Sequence, residues 1–294
     1  MNKKKKSIGL DTLYKAFIYV ALITLAVVIL VPVGWVFLAS IKTNAEFYGN
    51  PWTLPASFYF QNFIDAFQKA KMGEYFINSV IVTGIALIIM LVVALPAAYV
   101  LARFNFKGRK FLNTAFMAGL FINVNYIVVP IFLMLLDADK FLKGIIGTGF
   151  FLNNRFILAL VYAATHLPFT IYLLSGYFKT LPKAYEEAAF IDGCGYFKTM
   201  TDIMIPMARP SIITVILFNF LSFLNEYIIA LTLMPSGPKT LPVGLENLMA
   251  VQKTATNFGQ MYAGLVIVML PTLILYIMVQ KKLTQGMSLG GLKD

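Results

Sequence analysis

Six long apolar stretches dominate the chain, near 14–40, 75–101, 110–136, 156–178, 210–234 and 261–280. Each is long enough to cross a bilayer, which takes about 20 residues. A segment in lipid must satisfy its own backbone donors and acceptors, so the pattern predicts six transmembrane helices in an all-α integral membrane protein. Pro32, Pro96, Pro130, Pro168 and Pro271 fall within the spans. Each removes one backbone hydrogen bond and is a candidate kink.

Composition agrees with this pattern. Hydrophobic residues make up 59% of the 294, against about 45–50% for a soluble domain. Mean hydropathy is +0.78. Lys3–Lys6 before the first apolar run resemble the start of a signal peptide, but the run is too long and lacks a small-residue cleavage site. It is expected to be an uncleaved span. The net charge of +11 is assigned to cytoplasmic loops rather than to nucleic-acid binding, because such loops collect Lys and Arg. One cysteine, Cys194, excludes an intrachain disulfide, and the lone His166 cannot by itself make a histidine metal cluster.

Charge also sets the orientation. With the N-terminus inside, the cytoplasmic parts hold Lys3–Lys6, Lys15, Arg103, Lys107, Arg109, Lys110, Lys179, Lys183, Lys198, Arg209, Lys281, Lys282 and Lys293. The reverse orientation puts the compact Arg103–Lys110 cluster outside, against the positive-inside rule. The expected layout is a cytoplasmic tail 1–13, the first span 14–40, an extracytoplasmic loop 41–74, a five-helix core 75–280 and a cytoplasmic tail 281–294. Further outer segments are 137–155 and 235–260. Pro51, Trp52, Pro55 and nearby aromatics in the first outer segment suit a membrane interface or a docking surface.

The cytoplasmic segment 179–209 carries the most information. Helix formers run from Lys183 to Ile191, Asp192-Gly193 breaks the run, and helical spacing resumes. Phe197, Met200 and Met204 recur at i, i+3 and i+7, one face of a second helix. Gly193 permits the positive φ of a tight junction, and Pro182 and Pro206 bracket the unit. A stiff two-helix element of this kind can carry a push from a soluble partner into the membrane.

Glu187-Ala188-Ala189, then Gly193, then Ile203-Met204-Ile205-Pro206 resembles the EAA loop of ABC importer permeases. The family pattern is Glu-Ala-Ala, three residues, Gly, nine residues, Ile, one residue, Leu-Pro. Ile205 replaces the usual Leu, and Cys194 an alanine. More narrowly, the chain resembles the smaller partner of the maltose-type permease pair. The likeness includes Asn78-Ser79, Ala97-Ala98-Tyr99 with Ala102-Arg103, Phe106-Lys107-Gly108, Asn225-Glu226 and Thr240–Leu245, with Leu224 where tryptophan is usual. The resemblance implies a type I ABC importer permease fold. Glu187, Ala188, Ala189, Asp192, Gly193, Ile203 and Pro206 would couple to an ATPase, and Gly290 and Gly291 of the tail would reach toward it. It also implies a second similar permease, two ATP-binding subunits, an extracytoplasmic sugar-binding protein and a sugar cargo, in the cytoplasmic membrane of a prokaryote.

Polar residues within the spans are candidates for the substrate path. Asn123, Asn125 and Tyr126 lie in the third span, and Asn219, Asn225 and Glu226 in the fifth. Amides and a phenol suit neutral polyols, although the same amides serve as interhelical glue. Glu226 lies about 24 Å along the fifth span from Pro210, at 1.5 Å per residue. It either lines a gate or sits at an interface. No GxxxxGK[ST] phosphate loop occurs, so ATP and magnesium are expected on partner subunits and no cofactor on this chain. Importers of another solute, such as a polyol or glycerol phosphate, stay open as a reading. A secondary transporter would favour ionisable groups in several spans. An intramembrane hydrolase would require a catalytic constellation, which is not found.

Overall fold

The computed structural model describes the backbone of residues 8–255 and 257–291, and the side chains of 12–251, 257–278 and 280. All regular elements among these residues are helical. They are α1 (Ile8–Ser40), α2 (Asn44–Gly49), α3 (Gln61–Ile64), α4 (Met72–Arg103), α5 (Arg109–Gly119), α6 (Val124–Ile146), α7 (Arg155–Thr180) and α8 (Ala184–Ile191). There follow α9 (Tyr196–Lys198), α10 (Ile205–Met207), α11 (Arg209–Leu224), α12 (Ile228–Leu233), α13 (Leu241–Ala255) and α14 (Phe258–Gly291). Two π-helical turns, Asp65–Lys69 and Thr199–Met204, interrupt the series.

Four helices are individually long and apolar enough to cross a membrane: Thr12–Ser40, Met72–Arg103, Arg155–Thr180 and Phe258–Met278. The count reaches six when each of two bent pairs is taken as one span. The expected span 110–136 is such a pair: α5 and α6 meet at 104° across residues 120–123. The expected span 210–234 also differs, because α11 ends at Leu224 and α12 begins only at Ile228. Helix replaces part of the expected tails and outer segments. Of the tail 1–13, residues 1–7 lie outside the described residues and α1 begins at Ile8. Of the tail 281–294, α14 runs to Gly291 and residues 292–294 lie outside the described residues.

The chain divides into two compact units, 1–70 with 248–269 and 71–247 with 270–294. In the first, the segment after α1 is a folded cap rather than an open loop. Lys42 is fully buried. Its ammonium donates to the Pro51 carbonyl at 3.0 Å, the Asn50 carbonyl at 3.4 Å and Thr53 Oγ1 at 3.3 Å. Thr43 and Glu46 close a reciprocal capping box on α2. The hydrogen bond from the Thr43 backbone, chief among several causes, holds the Glu46 carboxyl below its usual range. Trp35 packs against Tyr262 at 5.1 Å and Trp52 at 5.4 Å, and Phe47 stacks on Phe258 at 4.8 Å.

In the second unit, α4 and α7 form the central pair. Ala86, Met90, Ala94, Ala98 and Ala102 recur every four residues along the buried face of α4. Small residues at this spacing let two helices approach closely in a membrane. The contact is tied by Ser175 Oγ donating to the Ala98 carbonyl at 3.2 Å. Two apolar clusters result. One joins α4, α6, α7 and α12 through Met90, Leu135, Tyr162 and Leu233. The other joins α4, α7 and the segment before α11 through Tyr99, Phe178, Met200, Met204 and Ala208.

At the far end of α4, Asn78 Nδ2 donates to the Lys239 carbonyl at 3.1 Å, and Asn78 Oδ1 accepts from Arg155 at 2.9 Å. Ser79 Oγ accepts from the Leu241 backbone at 2.8 Å. Asn78-Ser79 therefore holds the Thr240–Leu245 stretch against α4. Gly244 packs directly on the Tyr75 ring, where a Cβ would overlap ring carbons.

Candidate functional site

The segment between α7 and α11 folds as a helix, a tight turn and a second, bent helix. At the end of α8, the Asp192 amide donates to Ala188, the Gly193 amide to Phe190 and the Cys194 amide to Ala189, at 2.9–3.1 Å. These bonds use carbonyls that the helix end leaves orphaned. Gly193 takes φ +78°, and no atom lies within 4 Å of where its Cβ would be. Its constraint is therefore backbone conformation, not crowding. Past Gly195, α9 widens into the π turn Thr199–Met204 and continues through α10, which meets α11 at 74°.

This element is fixed to the spans by a cluster on its inner side. Tyr99 OH, near the end of α4, donates to Glu186 Oε1 at 2.8 Å. Arg103 Nε lies 3.4 Å from Glu186 Oε2, an ion pair by distance though without hydrogen-bond alignment at Nε. Arg103 Nη2 donates to the Leu181 carbonyl at 2.6 Å, where α7 hands over to the loop. Both charged side chains are nearly buried, at 7% and 13% exposure. A chain of edge-to-face rings continues the contact: Phe190–Tyr196, Tyr196–Phe104, Phe104–Tyr99 and Tyr99–Phe178, at 5.1–5.6 Å.

The expected coupling residues separate into outer and inner sets. Glu187, Ala188, Asp192, Gly193 and Pro206 are exposed, Ile203 is half-buried and Ala189 is buried. Among the exposed neighbours are Ile191, Tyr196 and Phe197, with Ile191 at 86% exposure. An exposed surface with this much apolar area and two carboxylates suits a protein partner. The face drawn through Phe197, Met200 and Met204 needs correction. Met200 and Met204 are in the core, but Phe197 is 73% exposed. The π turn that begins at Thr199 breaks the 3.6-residue period on which that face rested.

Glu186, Arg103 and Tyr99 were not singled out by sequence reasoning for this role. Their only signal is an arginine closing an apolar span and a second carboxylate beside Glu187. The 82 residues between Arg103 and Glu186 leave no local pattern to read.

The polar residues of the spans fall at three places. Asn123 caps α6 at the break after α5, accepting from the Asn125 amide at 2.9 Å, and Asn123, Asn125 and Tyr126 are all exposed. Asn219 is only 1% exposed. It donates to Thr170 Oγ1 at 3.1 Å and to the Val215 carbonyl at 2.7 Å, which makes it a tie between α7 and α11. Asn225 donates to the Leu221 carbonyl at 2.8 Å and to Thr272 at 3.4 Å. Glu226 accepts from the amides of Ile229 at 2.8 Å and Ala230 at 3.0 Å. Its carboxylate thus caps α12, satisfying amides left orphaned by the break in the fifth span. The buried Tyr162 hydroxyl lies close to the same carboxylate without reaching hydrogen-bond geometry. Gly290 and Gly291 fall on the last turn of α14.

Comparison with known proteins agrees with this layout. The chain is 34% identical over 281 residues to the diacetylchitobiose uptake system permease protein NgcG of Streptomyces coelicolor, covering 95% of this chain and 89% of that protein. It is 29% identical over 256 residues to the melibiose/raffinose/stachyose import permease protein MelC of Bacillus subtilis, covering 86% and 88%. A crystal structure of a bacterial ABC transporter involved in the import of alginate contains a chain of the same fold. It matches with a TM-score of 0.77 at 24% identity, covering 95% of this chain and 99% of that one. Residues 90–288, which contain the segment 183–206, the Glu226 break and most of the central helix pair, match the model of binding-protein-dependent transport system inner membrane components. The chain belongs to that family and is a multi-pass permease subunit of an ABC importer.

Proposed function

We propose that this permease subunit moves a sugar or oligosaccharide across the cytoplasmic membrane by alternating access, driven at the segment 183–206. The similarity to permeases named for diacetylchitobiose and for melibiose, raffinose and stachyose supports the cargo class. The single structural observation that carries the mechanism is the two-sided segment. Its inner side is anchored to α4 and α7 through Glu186, Arg103 and Tyr99, while its outer side presents Glu187, Ala188 and Asp192. Anchored in this way, the segment passes a displacement of its outer face to the spans instead of absorbing it.

In this reading, ATP and magnesium bind two partner ATPase subunits, which dock on the outer face. Gly193 forms the turn, and Gly290 and Gly291 extend α14 toward the same partners. A second, similar permease completes the pathway, an extracytoplasmic binding protein delivers the sugar, and both termini are cytoplasmic. Closure of the ATPase pair pushes the segment, and α4 and α7 tilt to open the path outward.

Reconstitution tests this. The complete complex in proteoliposomes should accumulate labelled diacetylchitobiose, melibiose or raffinose only with ATP and the binding protein present. This subunit alone should show background ATPase. Uptake independent of ATP, driven by an ion gradient, would move the chain to another transport class.

A further inference from the structure

Beside the central pair, α5, the last turns of α7 and the first turns of α11 enclose a cleft of about 450 Å³. That lies within the 300–1,000 Å³ typical of small-molecule sites. Its polar lining includes Asn113, Tyr172, Tyr177, Lys179, Ser211 and Thr214. Ser211 is 4% exposed, and its hydroxyl has no hydrogen-bond partner. A buried hydroxyl left unpaired costs free energy that an incoming donor or acceptor recovers. Thr214 donates its proton to the Pro210 carbonyl at 3.0 Å, which leaves its oxygen able to accept. Gly176 leaves the wall open, with no atom within 4 Å of its Cβ position.

We propose that this cleft is a transit site for a neutral saccharide on the cytoplasmic side, through which the cargo leaves in the inward-facing state. The proposal rests on the importer reading above and on its topology. Hydroxyl, amide and phenol groups offer both donors and acceptors, and ring faces such as those of the tyrosines pack on the apolar faces of sugars. A site for the phosphate of an anionic lipid headgroup would gather several cations, whereas this lining holds only Lys179. The cleft is also coupled to the drive. The stretch of α7 that lines it runs directly into Leu181, whose carbonyl Arg103 holds. Motion of the anchored segment therefore changes the cleft.

The complete complex, with its binding protein, tests this in proteoliposomes with labelled diacetylchitobiose and melibiose. Ser211→Ala removes one neutral hydrogen bond, so the KM for uptake should rise about 3- to 10-fold. Gly176→Leu fills the cleft and should stop uptake. Complex yield should stay at the wild-type level in both variants, and binding-protein-stimulated ATPase should fall less than uptake does. Independently of any sugar, Thr214→Cys in a Cys194→Ser background should react with an impermeant thiol reagent in inside-out vesicles. ATP with vanadate should suppress that reaction. If Gly176→Leu fails to assemble, Ser211→Ala and the labelling decide.

Unchanged uptake in Ser211→Ala together with nucleotide-insensitive labelling overturns the proposal. So does a parallel loss of ATPase and uptake, which assigns the cleft to the joint. Activity that follows phosphatidylglycerol content and is lost in Lys179→Gln assigns it to a lipid headgroup. A wild-type complex that transports neither sugar overturns the saccharide reading of the protein, and the Thr214→Cys labelling then shows separately whether the cleft is an aqueous path.

Discussion

Replacing Glu186 removes the carboxylate to which both Tyr99 and Arg103 are directed. At the observed 3.4 Å separation, an effective dielectric of about 20 gives a gross Coulomb attraction of about 5 kcal/mol. Desolvation offsets much of that. Truncating one partner, however, strands a nearly buried guanidinium, and such losses run about 3–5 kcal/mol for buried pairs. The 13% exposure of Glu186 allows some water access, so about 3 kcal/mol is expected for Glu186→Ala. That corresponds to roughly a hundredfold rise in the undocked population of the segment. Glu186→Gln keeps an acceptor for Tyr99 and loses only the charge, so its effect should be about half as large in free energy. Cys194, half-buried and the only cysteine, is a native reporter just past the turn. Its rate of reaction with a thiol reagent in the purified complex should rise in the order wild type, Glu186→Gln, Glu186→Ala. Substrate moved per ATP hydrolysed should fall in the same order. Equal Cys194 reactivity and equal coupling in all three proteins would refute the anchoring role.

Other consequences can be measured separately. Glu226→Ala removes the cap of α12 and should lower stability by about 1–2 kcal/mol, while Glu226→Gln, which keeps one acceptor oxygen, should recover most of it. Thermal unfolding in detergent checks this order, and two variants that both match wild type would remove the capping role. Gly244→Ala forces a methyl into the Tyr75 ring, and overpacking of this kind costs about 1–3 kcal/mol. A fall in Tm of about 2–8 °C should follow, and an unchanged Tm would show that the ring yields freely. In a Cys194→Ser background, cysteines at Ser57 or Ser236 should react with an impermeant reagent in whole cells and one at Ser288 should not. The opposite pattern would reverse the topology.

The transmembrane character was legible because apolar runs of this length have few other solutions. The breaks inside two spans were not. Gly119–Ile122 and Leu224–Ile228 lie within largely apolar sequence without a proline or a charge cluster, so hydropathy runs straight through them. The available signals were local and polar: Asn123 before an apolar run, as an N-cap, and Glu226 three and four residues before the amides it accepts. Each stood out as a polar residue in lipid and was a candidate for the path, with an interface as the other reading for Glu226; in the structure its oxygen terminates a helix. The turn at Gly193 was readable because Asp-Gly interrupts a clear helical run. The anchor beneath it was not, because Tyr99, Arg103 and Glu186 meet only through tertiary structure. Asn219 shows a related ambiguity: an amide in a span suits a sugar or a neighbouring helix, and its burial beside Thr170 is visible only in the structure.

Co-purification of the ATPase with four versions of the complete transporter tests the coupling claim most directly: wild type, Gly193→Asn, Gly193→Val and Glu187→Lys. A β-branched residue at φ +78° is strained by about 1–3 kcal/mol, whereas asparagine tolerates the left-handed region. Wild type and Gly193→Asn should therefore retain the ATPase and ATP-coupled uptake. Gly193→Val and Glu187→Lys should reach the membrane in normal amounts yet lose the ATPase or its coupling to uptake. Normal ATPase recovery together with normal uptake in both Gly193→Val and Glu187→Lys would contradict the account.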